Sequence, residues 1–145
     1  MIRLLEIDKD NLDKVLELKV HEDQAAYVSP VAFSLAQAYV YRETAFPFAI
    51  YDDEILVGFI MMGYYEGRKQ YTLWKLLIDK RYQNMGYGRA AVNLGMKKFR
   101  DMFDVSEIYT GVIFGNHAAK HLYSSIGFKT TGLIENNMEE MKYVL

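Results

Sequence analysis

Apolar and polar positions alternate along this chain with two distinct periods, and the switches between them mark out its elements. Met1–Ile7 alternates weakly and predicts a first strand. Leu12, Val15 and Leu16 then fall on one helical face behind a capping Asp8 or Asp10. The period breaks over His21–Val28. Ser29-Pro30 supplies a capping hydroxyl and a proline suited to the first helical position, and Val31, Leu35, Ala38 and Tyr39 share the face that follows. Pro47 is expected to end that helix. Phe48–Tyr51, Ile55–Tyr64 and Tyr71–Asp79 read as three strands, separated by the polar turns Asp52-Asp53-Glu54 and Glu66-Gly67-Arg68-Lys69. Val92, Met96, Phe99 and Phe103 recur at helical spacing and predict a helix from Gly86 to about Phe103. Glu107–Ile113 reads as a strand, Asn116 to about Ile126 as a helix stopped by Gly127, and Phe128–Thr131 and Met138–Val144 as closing strands.

The order is β-α-α-β-β-β-α-β-α-β-β. No repeat, low-complexity segment or linker interrupts it, so a single α/β domain over residues 1–145 is expected. Composition narrows the class. The chain is 51% hydrophobic and 25% charged, an ordinary globular balance. A formal net charge of -2 gives no electrostatic case for nucleic acid. The absence of cysteine excludes disulfides, thiolate metal sites and a cysteine nucleophile, and fits a reducing compartment. The N-terminal stretch is unlike a signal peptide, and Ile55–Gly63 is far shorter than the roughly 20 apolar residues of a membrane helix. A cytoplasmic protein with no membrane association is expected.

Two stretches carry candidate chemistry. In Ile78 to Arg89 a strand ends, and Gly86 and Gly88 open a helix with free backbone N–H groups. Such a terminus is an anion seat, suited to a phosphate or pyrophosphate. With alanine at the third glycine position and no G-K-[ST], it is neither a dinucleotide fingerprint nor a P-loop. In the second stretch Asn116 stands at a helix start as a cap, and Lys120 and Tyr123 follow on the same face. His117 and His121 are four apart, but no HExxH glutamate or third ligand accompanies them, so no metal is expected.

Together the two stretches resemble the GNAT N-acetyltransferases. Gln83-x-x-Gly86-x-Gly88 is similar to that family's acetyl-CoA loop, and Asn116-x-x-Ala119-x-x-Leu122-Tyr123-x-x-x-Gly127-Phe128 to its later segment. More narrowly, Pro47–Tyr51, Val57–Ile60 and Ile78–Arg89 resemble bacterial spermidine/spermine (diamine) N-acetyltransferases. The resemblance implies a mixed, mostly antiparallel sheet of seven strands with four helices on its two faces, as in the order above. It implies acetyl-CoA as co-substrate in a cleft between parted strands, with Leu77 and Ile78 pairing with the pantetheine arm. The pyrophosphate would rest on Asn84, Met85, Gly86, Tyr87, Gly88 and Arg89, with Gln83 beside it and Asn116 and Lys120 on the far side. Leu77 N–H is expected to meet the oxyanion, and Tyr123 to donate a proton to the departing thiolate. At the amine end, Glu22, Asp23 and Glu66 are candidate acids, His21 a further option as base, and Trp74 and Tyr64-Tyr65 candidate walls. A small-molecule amine, polyamines first, is the expected acceptor. A protein N-terminus, lysine or antibiotic amine, and a noncatalytic acyl-CoA-binding module, are the alternatives. A homodimer pairing through Met138–Val144 is a further expectation.

Overall fold

The longest apolar run forms β3 (Ile55–Tyr65), which lies inside the sheet and is buried without interruption from Val57 to Gly63. A strand covered on both faces needs no polar alternation. The computed structural model describes residues 1–145. Around β3 stand β1 (Ile2–Leu5), α1 (Leu12–Leu16), α2 (Val31–Val40), β2 (Ala45–Asp52), β4 (Gln70–Ile78), α3 (Tyr87–Met102), β5 (Glu107–Ile113), α4 (His117–Ile126), β6 (Lys129–Glu135) and β7 (Met138–Val144). Two 3-10 turns, Glu22–Tyr27 and Lys80–Tyr82, complete the order expected from the sequence.

The seven strands run β1-β2-β3-β4-β5-β7-β6, and every pair is antiparallel except β4 with β5. One face carries the larger core, where Val92, Met96 and Phe99 of α3 pack with Ile60, Ile108 and Met141. The other face carries a smaller core, where Val15, Val31 and Ala38 from α1 and α2 meet Ala49, Phe59 and Leu77. The parallel pair is short: only Thr72↔Tyr109 and Leu73↔Thr110 are in register. Beyond them β4 follows β3 and β5 follows β7, so the sheet divides into two halves with a gap between. No helix is long and apolar enough to cross a membrane.

Three local expectations are corrected. Pro47 does not end α2, which stops at Val40; it lies inside β2, paired with Met61. The edge strand β1 covers β2 only from Ala49 to Asp52, so the missing N–H of Pro47 costs no ladder bond on that side. Ser29 does not cap α2. Pro30 takes the cap position, and the Ser29 hydroxyl accepts from Lys75 Nζ at 3.0 Å. β7 offers no free edge for pairing across a dimer axis, because β5 and β6 occupy both its sides; the open edges are β1 and β6.

Candidate active site

The gap between β4 and β5 opens into a cleft of about 970 Å³ on one side and a cavity of about 580 Å³ on the other. The two share Trp74, Lys75, Thr110, Gly111 and Met138, which form a waist.

The larger cleft ends at the start of α3. Gly86 caps this helix with φ +86°, a left-handed conformation that glycine adopts without strain. Asn84 also has positive φ, at 62°. The first intrahelical bond among these residues is Ala90 N–H to Gly86 O, which leaves the amides of Tyr87, Gly88 and Arg89 outside the helical ladder. No acidic residue occupies the first turn, so the terminus keeps its positive potential. At Gly88 an added Cβ would meet Leu122 Cδ2 at 3.2 Å; the missing side chain lets α3 pack against α4. Arg89 donates to Ser125 O at 3.3 Å and to Ser125 Oγ at 2.5 Å, tying the same two helices while its remaining donors stay available. These features fit the pyrophosphate of acetyl-CoA.

The loop before α3 hangs from Asp79, which is 2% exposed. Its carboxylate accepts from Arg81 Nε at 2.8 Å, Arg81 N at 3.0 Å and Lys19 N at 3.1 Å. Burial pushes this carboxyl upward, but the hydrogen bonds from Arg81 and Lys19 outweigh it and hold it below its ordinary value. Gln83 is a clasp. Its Nε2 donates to Ile78 O at 3.0 Å and to Gln24 Oε1 at 2.9 Å, and its Oε1 accepts from Gln24 Nε2 at 2.9 Å. The Gln83 side chain thus ties the loop to the 3-10 turn Glu22–Tyr27.

Along β4, Asp79 N–H bonds to Val57 O of β3 at 2.9 Å. Successive amides of a strand point to opposite edges, so Leu77 N–H also turns toward β3, opposite Phe59. Leu76 and Ile78 turn theirs toward the gap. This corrects the expectation that Leu77 offers its N–H there; the Leu77 side chain belongs to the smaller core.

Tyr123, on α4, lines the larger cleft and is 7% exposed. Burial pushes its phenol up to about 12. Tyr109, lining the smaller cavity, also reaches about 12 through burial and a hydrogen bond to Glu107. Both phenols keep their protons at neutral pH and can donate, not accept. Lys75 is pushed down by burial; its ammonium bonds Ser29 and lies 5.6 Å from the Phe33 ring centre. A bulge sets this up: Met61 pairs with Lys75 and Met62 with Leu73, so Trp74 is the extra residue.

The smaller cavity is walled by α2, the β3–β4 turn, β5 and the β6–β7 hairpin. Trp74 lies edge-on to Tyr41 at 6.1 Å, and its indole occupies the space that a Cβ at Gly63 would fill, 2.4 Å away. Tyr64, Tyr65 and Glu66 line this cavity with Glu135 and Glu140. Arg68 bridges the last two carboxylates, contacting Glu140 at 3.2 Å.

Of the sequence-derived site residues, Leu77, Ile78, Gln83, Asn84, Gly86, Tyr87, Gly88, Arg89, Asn116 and Tyr123 line the larger cleft. Asn116 also caps α4, its side chain accepting from Ala119 N at 3.3 Å. Met85 is exposed and lines neither cavity; Lys120 is drawn to β7 by Glu139 at 2.7 Å. Glu66 and Trp74 line the smaller cavity, whereas His21, Glu22 and Asp23 are exposed outside both cavities. Sequence reasoning missed Asp79, Lys75, Thr110, Glu135 and Glu140. Only Asp79 had a local signal, an Asp directly before the turn Lys80–Tyr82 whose side chain can accept from the N–H two residues on.

A model of the acetyltransferase (GNAT) family matches residues 8–128. A spermine/spermidine N(1)-acetyltransferase of Bacillus subtilis is 28% identical, over 97% of this chain and 95% of that protein. An N-alpha-acetyltransferase of Sulfurisphaera tokodaii is 27% identical, over 89% of this chain and 79% of that protein. The fold is similar to that of a Vibrio cholerae spermidine N-acetyltransferase solved with CoA and spermine, with a TM-score of 0.77 at 17% identity, covering 99% of this chain and 95% of that one.

Proposed function

The chain belongs to the acetyltransferase (GNAT) family and is an acetyl-CoA-dependent N-acetyltransferase, and from that premise we propose that its acceptor is a linear polyamine such as spermidine or spermine. The observation that carries the reading is the waist: two cavities meet at Trp74, Lys75, Thr110, Gly111 and Met138. An acyl donor in the larger cleft and an amine in the smaller one would face each other there. Three carboxylates, Glu66, Glu135 and Glu140, line the acceptor side against Arg68 and Lys75, a surplus of acid that favours a cation. The Bacillus relative named for spermine and spermidine supports the same class.

Each residue has a task in direct amine attack on the thioester. Amides from Tyr87 to Arg89 hold the pyrophosphate, and the gap-facing amide of Ile78 pairs with the pantetheine arm. Leu76 N–H is the donor placed toward the developing oxyanion. Tyr123 gives its proton to the departing thiolate. An alkylammonium of ordinary pKa, about 10.4 by analogy with lysine, must lose a proton before attack. The waist holds no carboxylate, so water relays that proton out through the acceptor cavity past Glu66. The proposal places the enzyme in the cytoplasm, in keeping with the absence of cysteine.

The deciding experiment is acetyl-CoA consumption with spermine, spermidine, putrescine, lysine peptides, free peptide N-termini and aminoglycosides. Turnover on polyamines is expected. Turnover on peptide N-termini alone would replace this reading with protein N-terminal acetylation, which the Sulfurisphaera relative favours. Tyr123→Phe is expected to lower kcat about a hundredfold, within the usual range for a general acid, with CoA affinity unchanged by calorimetry. Unchanged turnover would remove Tyr123 from the role.

A further inference from the structure

Among the lysines of the chain, Lys75 alone lines either cavity, and it lines both. It is partly buried on β4, between Trp74 and Leu76. Its Nζ lies 3.0 Å from the hydroxyl of Ser29, a residue of the larger cleft, and 5.6 Å from the centre of the Phe33 ring. That hydroxyl is its hydrogen-bond partner, and no carboxylate pairs with it. Lysines outside the cavities differ. Lys97, Lys120 and Lys142 are held as ammonium ions by Asp101 at 2.8 Å, Glu139 at 2.7 Å and Glu107 at 3.6 Å. Burial without a counter-ion favours the neutral amine, and it pushes the Lys75 pKa below its ordinary value. Ser29 Oγ can accept an N–H from the ammonium or from the neutral amine, and in the second case the nitrogen lone pair stays free.

We propose that Lys75 is a self-acetylation site: when no acceptor amine fills the smaller cavity, its Nζ attacks acetyl-CoA in the larger cleft and becomes Nε-acetyl-lysine. The inference rests on the reading of the larger cleft as the acyl-donor site. Leu76, whose N–H that reading places toward the acetyl oxygen, follows Lys75 directly in the chain, so the lysine stem starts one peptide unit from the acetyl group. The stem is long and flexible, which lets Nζ leave Ser29 and turn along the waist. The ammonium first gives a proton to water. The nitrogen lone pair then forms the bond to the acetyl carbon, and the carbon–sulfur bond breaks with its electron pair on sulfur. The nitrogen loses a second proton and the sulfur gains one, leaving as CoA thiol. The product has lost the lysine charge and carries an acetyl group where the two cavities meet, which narrows the path of the acceptor.

The test is incubation of the purified protein with acetyl-CoA and no amine, followed by intact-mass and tryptic-peptide mass spectrometry, with the protein before addition as reference. Acetylation of Lys75 is expected. Trypsin then fails to cut after Lys75 and yields an acetylated Gln70–Lys80 peptide. Labelling of Lys75 should outpace that of any other lysine by about a hundredfold or more, because only this amine is held beside the donor. The urea-unfolded chain should lose that preference. Spermidine, or the amine that the acceptor screen identifies, should slow the labelling of Lys75 and leave that of exposed lysines unchanged. Lys75→Arg keeps the charge and should gain no acetyl group. An unmodified Lys75 in folded protein that binds acetyl-CoA by calorimetry would overturn the proposal. So would labelling spread evenly over the exposed lysines, or labelling of Lys75 that a turned-over amine does not slow. Failure of the folded protein to bind acetyl-CoA would instead sink the reading of the larger cleft, and the proposal with it.

Discussion

The proposed cofactor cleft takes its anion seat from one short stretch, Asn84 to Arg89, whereas the proposed acceptor cavity is walled by segments scattered from Gln37 to Glu140. The first is made mostly of backbone: a left-handed glycine, a bare helix start and a gap where two strands part. The second is made of side chains, with an indole, several phenols and an acid–guanidinium bridge contributed by elements that meet only in the fold. Backbone amides suit a partner that does not change, while side chains are free to vary with the amine. Substitutions in one half should therefore leave the other half's KM nearly unaffected.

The strongest test of that separation is Asp79→Ala, which removes the buried anchor of the cofactor loop. It leaves Lys19 N and two Arg81 donors without their acceptor and should cost about 2–3 kcal/mol of stability. The effect carries a pH signature. The folded-state pKa lies below the ordinary 3.8, so the carboxylate's contribution is complete at neutral pH and fades as pH falls below that value toward the folded pKa. Urea melts at pH 7 and pH 3 should show the gap between wild type and variant shrinking at the lower pH. A constant gap would mean that Asp79 acts by packing and not by charge.

Gly86→Val comes next. No atom lies within 4 Å of the added Cβ, so its cost is the left-handed backbone, about 1–3 kcal/mol for a β-branched residue. The KM for acetyl-CoA should rise tenfold or more, with the amine KM within about twofold. Parallel rises in both constants would show the two halves to be coupled. The smallest effect is expected from Gly63→Ala on the acceptor side. The methyl group would displace the Trp74 indole, at about 1 kcal/mol, and raise the amine KM about fivefold while the acetyl-CoA KM stays put. Initial-rate measurements with each substrate varied in turn decide both cases.

The same contrast explains what could be read from the chain. The elements and their order followed from hydrophobic period and turn residues, because those signals lie within each segment. Gly86 at a helix start and Asn116 as a cap were legible for the same reason. Pro47 was misread because a proline inside a strand is acceptable only where its missing N–H meets no neighbour, and nothing near Pro47 in sequence shows how short β1 is. Lys120 was placed on the correct helix, but its ammonium goes to Glu139 on a strand that folds back from the end of the chain.

What the sequence determined by itself is the family, the acyl donor and the glycine-marked helix start after β4, since each is carried by residues that neighbour one another in the chain. Only the tertiary structure decided which β4 amides face the gap, because that choice turns on register with β3. It also decided that Gln83 clasps Gln24, that Glu135 and Glu140 line the smaller cavity while Glu22 and Asp23 stand outside it, and that Thr110 ties β5 to Leu73 where the strands part. A one-residue bulge or register step reverses the side to which a strand residue turns, and no local periodicity records where that step falls.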